Sequence, residues 1–169
     1  MPLVAVPLTL QTFGVMLAGL ILGPTRAGLV LLLYVTIALL GLPVLPGGRA
    51  GLVVLLGPTA GFLLGMIPGA VVTGWLATLC ANSDKPHAAS SSSGALEGAQ
   101  RWQVARYTLA AILGGIVVVY AVGIPWLAMV AKMDFIKACW AMLAFLPGDV
   151  LKAIVAAVVA QRIRRLHMV

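Results

Sequence analysis

The chain has 169 residues, of which 62% are apolar and 9% charged, where an ordinary globular domain has about 25% charged. That length fits a single domain, and the balance excludes one that folds in water. The net charge of +7 does not indicate nucleic acid, because the basic residues are scattered between long uncharged runs and form no stripe with aromatics.

A hydrocarbon core about 30 Å thick takes roughly 20 helical residues to cross, so charge-free stretches are measured against that length. Five stretches emerge in chain order: 10–23, 27–42, 57–80, 107–130 and 135–163. The first two are short, yet they lie inside the longer charge-free runs 1–25 and 27–48. No basic segment precedes the first run, so it is not read as a signal peptide. The third stretch holds Gly57, Gly61, Gly65 and Gly69 at every fourth position, continued by Thr73 and Ala77. Such small-residue stripes let helices approach closely in lipid, either within the bundle or against another subunit. Pro58 and Pro68 remove backbone donors from the same stretch. Ala153 with Ala157, and Ala156 with Ala160, offer comparable small faces on the last one.

Between the third and fourth stretches a flexible polar loop is expected over 82–105, holding Asp84, Lys85, His87, the Ser90 to Ser93 tract, Glu97 and Arg101. Placing this loop and the C-terminus in the cytoplasm puts Arg26, Lys85, Arg101, Arg106, Arg162, Arg164 and Arg165 inside, and Arg49, Lys132 and Lys137 outside. Seven against three obeys the positive-inside rule. His87 and His167 have no metal-binding partner at ligand spacing. Cys80 and Cys139 are isolated thiols in apolar surroundings and read as inert core residues.

Charge within a span costs roughly 2.5–3.5 kcal/mol for Asp or Lys at a helix centre, so Asp149 and Lys152 need a reason. They share one helix face at i and i+3. Counted back from Arg162 at about 1.5 Å per residue, Lys152 lies about 15 Å and Asp149 about 20 Å from the cytoplasmic boundary. One reading is structural, with Asp149 capping a helix restarted after Pro147 and Gly148 and Lys152 neutralising it. The other is functional, and the two are compatible. A helix broken at depth turns N–H groups and a positive dipole end toward a cavity, and the pair can hold a solute that offers both an anion and hydrogen-bond donors, with Lys152 for the anion and Asp149 for the donors. Thr9, Gln11, Thr12, Tyr34, Thr59 and Trp140 are the polar or amphipathic side chains available to complete such a pocket. No HExxH, GxSxG or GxxxxGK[ST] motif occurs, so no enzyme is read, and any ATP-driven step belongs to another chain.

The run VPLTLQTFGVMLAGLILGPTRAG, then YVTIALLGLPVLPGG, GPTAGFLLGMIPGA and FLPGDVLKAIVAAVVAQRI, resembles the BioY family of biotin-binding S components of energy-coupling factor (ECF) transporters. The resemblance covers roughly half the chain in family order. It implies an all-α integral membrane protein with a six-helix S-component fold, biotin bound from the outer side, and partnership with a transmembrane T component and two ATPases. No cofactor or metal is implied; the remaining partner is membrane lipid. Asp149 and Lys152, in the GDxxK pattern, are then expected to line the vitamin site, as are Gln11 and Thr12 of TLQT and Pro58 and Thr59 of GPTAG. Biotin also suits the residues, since it offers a carboxylate, ureido donors and an apolar bicycle. The chain opens where family members already have a first helix behind them, so five spans are visible and that helix is expected to be missing or truncated. Two rival readings are a scaffold subunit without a ligand and an S component for a different vitamin, since fold alone does not set specificity.

Overall fold

A computed structural model describes residues 10–83 and 93–166. Thr9, His87, His167 and residues 84–92, with most of the Ser tract, lie outside the described residues. All of the regular elements among those described are helical: α1 (Gln11–Leu22), α2 (Pro24–Leu39), a 3-10 turn (Leu52–Leu56), α3 (Ala60–Ser83), α4 (Ser93–Ala111), a π-helical segment (Ile112–Val118), α5 (Val119–Val130), α6 (Phe135–Leu143) and α7 (Leu146–Leu166).

Each of the five expected stretches carries helix, but not in equal length. Among the described residues, two helices are long and apolar enough to cross a membrane, Ala60–Ala81 and Arg101–Val130. Phe135–Leu143 and Leu146–Arg164 make a third span if their 52° bend is counted as a break within it. With 12 and 16 residues, α1 and α2 reach only about 18 and 24 Å. A single residue joins them, Gly23 at φ 78°, followed by Pro24 in the first turn of α2. That proline starts α2 three residues earlier than the charge pattern indicated.

The expected loop over 82–105 needs correction, because α4 begins at Ser93. Its first residues are rich in Ala, Leu, Glu, Gln and Arg, which are good helix formers, and polarity alone was misread as a loop. Tertiary contacts hold the second half of α4: Gln161 Nε2 donates to Gln103 Oε1 at 3.1 Å, and the Arg164 guanidinium lies 5.5 Å from the Tyr107 ring centroid.

The packing inverts that of a water-soluble protein. Large apolar side chains face outward, with Leu29 61%, Leu109 58% and Leu151 63% exposed, as lipid-facing surfaces require. The interior is built from small residues. Ala153, Ala156, Ala157 and Ala160 are wholly buried and join Met16, Leu20 and Tyr107 in one core between α1, α4 and α7. On α3, Gly61, Gly65 and Gly69 face α5 and the π segment, where an added Cβ would meet Trp126, Val122 and Val119. Thr73 continues the row, wholly buried, its hydroxyl donating to Gly69 O at 2.8 Å. The stripe therefore serves packing inside the bundle. Gly57 precedes the helix and accepts a 3.1 Å bond from Trp126 Nε1, while Pro58 sits in the turn before α3 and not within it.

Candidate functional site

Asp149 is the organising residue. It lies in the first turn of α7, three residues after the helix starts at Leu146, and its own N–H already bonds Phe145 O at 3.1 Å. It is therefore not the cap that its position after Pro147 and Gly148 suggested. Its carboxylate points inward to three donors from three elements. Thr12 Oγ1 donates to Oδ1 at 3.1 Å, Lys152 Nζ to Oδ1 at 2.9 Å, and Tyr120 OH to Oδ2 at 2.5 Å. Lys152 Nζ also reaches Thr12 Oγ1 at 3.4 Å. Side-chain exposure is 6% for Asp149 and 16% for Lys152, so the pair is neutralised and hydrogen-bonded as burial demands.

The π segment leads directly into Val119 and Tyr120, and its glycines set where that part of the chain runs. Gly114 lies against Thr73 and Gly69 O, and Gly115 against Met16, so α1, α3 and the π segment cross with no room for side chains. Phe62 of α3 meets the Tyr120 ring edge-on, with centroids 5.9 Å apart and planes at 89°. The phenol is thereby held toward Asp149.

These groups form one wall of a cavity of about 110 Å³. Leu63, Met66, Val119, Met142 and Phe145 make its apolar middle; Gln11, Thr12, Thr59, Tyr120 and Arg49 add polar atoms to the Asp149 and Lys152 pair. A small solute with an apolar body, hydrogen-bonding groups and one negative charge matches this lining, which carries two cations and one carboxylate. Among the described residues no group of three or more His, Cys, Asp or Glu comes together to hold a metal.

Of the residues expected here, the structure brings together Asp149, Lys152, Gln11, Thr12 and Thr59. Tyr34 does not line this cavity. Its hydroxyl accepts from Gln11 Nε2 at 3.3 Å and donates to Val44 O at 3.2 Å, so it anchors Gln11 from a neighbouring groove between α1 and α2. Pro58 is likewise absent from the lining and shapes the turn that presents Thr59. Trp140 is 69% exposed on α6. It stands two residues from both buried Ala138 and Met142 and so falls on the opposite side of that helix. Sequence reasoning missed Tyr120 and Arg49. The first was detectable as a hydroxyl within an apolar span; the second had been treated only as a charge outside the membrane.

The BioY family model matches residues 1–168. The biotin transporter BioY of Rhizobium etli is 44% identical over 160 residues, covering 95% of this chain and 79% of that protein. The biotin transporter BioY of Rhodobacter capsulatus is 41% identical over 168 residues, covering 94% and 78%. The crystal structure of the S-component for biotin from an ECF-type ABC transporter matches with a TM-score of 0.80 at 28% identity, over 95% of this chain and 76% of that one. The bundle and the sequence thus point the same way, and the chain belongs to the BioY family.

Proposed function

We propose that this protein binds biotin in the cavity beside Asp149 and serves biotin uptake across the cytoplasmic membrane as the S component of an ECF-type transporter. A transmembrane T component and two ATPase subunits would complete the machine. The observation that carries this reading is the convergence of Thr12, Tyr120 and Lys152 on a buried carboxylate at the wall of an apolar cavity. Polar groups fixed this way orient a ligand, and the apolar walls take up its bicycle. The relatives named as biotin transporters narrow the choice of solute.

Selectivity tests it. Thermal unfolding of the purified chain in detergent is expected to shift upward with biotin, by an amount equal to about 2.7 kcal/mol at a hundred times Kd. Other vitamins at the same concentration should leave it unmoved. An equal shift with another vitamin makes this an S component for that solute, and no shift with any returns the scaffold reading.

The proposed topology places residues 84–92 and the C-terminus in the cytoplasm. In the C-terminal half of α3, Gly74 packs against Gly23 and Pro24, and Thr78 lies against Gly23. That puts Arg26 on the same side as Arg101, Arg106, Arg162 and Arg164, as the positive-inside rule asks. A Cys introduced at Ser91 should resist an impermeant thiol reagent applied to intact cells. Ready labelling from outside contradicts the assignment.

A further inference from the structure

Asp149 and Lys152 compensate each other, so the positive charge left over in the cavity lining is that of Arg49. It stands on a turn built to hold it still. Pro46 and Gly47, the latter at φ 77°, occupy the middle of a turn closed by Gly48 N donating to Leu45 O at 3.0 Å, the residue pattern of a type II turn. Leu45 and Arg49 pair as an isolated antiparallel bridge. Leu45 is buried in the core shared by α1, α2 and α3, and Gly51 N bonds Ala38 O at 2.8 Å, which ties the loop to the end of α2. Arg49 itself is exposed and, among the described residues, its side chain has no hydrogen-bond or ion-pair partner. The cavity thus runs from an exposed guanidinium to a buried, fully engaged carboxylate, across apolar walls.

We infer that Arg49 is the carboxylate subsite: it receives the ligand's carboxylate at the solvent side of the cavity, while the Asp149, Lys152, Thr12 and Tyr120 cluster faces its uncharged polar head. This inference rests on the proposed binding of biotin in the same cavity. A planar guanidinium offers paired donors to a carboxylate, and Arg is less strongly hydrated than Lys, so it gives up water at lower cost. Lys152 is a poor competitor, since turning it to a ligand anion would weaken its contact with a buried aspartate.

The test compares biotin with its uncharged primary amide on three forms of the full chain: the parent, Arg49→Gln and Arg49→Lys. The parent should prefer the acid by about tenfold to a hundredfold, the range of a hydrogen-bonded charge contact. Arg49→Gln should bring the two ligands to nearly equal affinity by weakening the acid and leaving the amide little changed, and Arg49→Lys should keep part of the preference. A parent protein that binds acid and amide equally overturns the inference without any variant being needed, and so does Arg49→Gln with the parent's preference intact; in both cases biotin binding itself stands. A parent that binds neither ligand removes the proposed function and the subsite together.

Discussion

Replacing Lys152 by Ala is expected to destabilise the fold by about 3–5 kcal/mol, the cost of removing one partner from a buried charge pair, and to weaken biotin binding through the cavity wall that the pair forms. The reason lies in the protein before any ligand arrives. Asp149 is 6% exposed at its side chain, and Lys152 is the cation that bonds it, at 2.9 Å. Without it the carboxylate keeps Thr12 and Tyr120 as donors but has no counter-charge, so it draws in water or turns away from the wall. Either change alters the cavity wall. Asp149→Asn combined with Lys152→Met removes both charges and should recover most of the thermal stability lost by Lys152→Ala, since paired removal of buried ions is often near neutral. It should not recover binding. Titration of each form with biotin checks this: a loss below about half a log unit for Lys152→Ala would leave Lys152 a purely structural residue.

The second large effect is on stability. Gly114→Val should cost about 3 kcal/mol or more, at or beyond the usual upper end for overpacking. A Cβ at Gly114 would lie 2.7 Å from Gly69 O and 2.5 Å from Thr73 N, both backbone atoms of α3 that cannot swing aside. Displacing the π segment also displaces Tyr120 two turns on, so biotin affinity should fall along with the unfolding temperature. Gly14→Ala is the control. Nothing lies within 4 Å of a Cβ there, and Ala is the better helix former by up to about 1 kcal/mol. Comparable destabilisation by the two substitutions would contradict the close crossing described at Gly114.

Much of this was readable in the sequence, for physical reasons that differ from residue to residue. Asp149 and Lys152 stood out because charge within a span has a cost that few roles repay. The glycine row of α3 was equally visible, although only the contacts with Trp126, Val122 and Val119 decide between internal packing and a docking face. The loop was drawn too long because composition distinguishes polar from apolar better than helix from coil, and α4 is a polar helix at its start. Trp140 was chosen for its chemistry alone. Its place opposite the buried Ala138 and Met142 depends on where α6 begins, which the apolar run does not mark. Tyr34 was close to the site but acts at one remove, through Gln11. Arg49 was hidden because a charge counted for topology is not thought of as lining a pocket; its presence there depends on a loop folding back over the bundle, which no local pattern announces.

The cavity around Asp149 is the proposed biotin site. Isothermal titration of biotin into the purified full chain in detergent tests it most directly. One biotin should bind each chain saturably, with parallel loss of heat and affinity in Lys152→Ala. Absence of saturable binding to the parent protein, or binding unchanged both in Lys152→Ala and in the Asp149→Asn, Lys152→Met double variant, would contradict it.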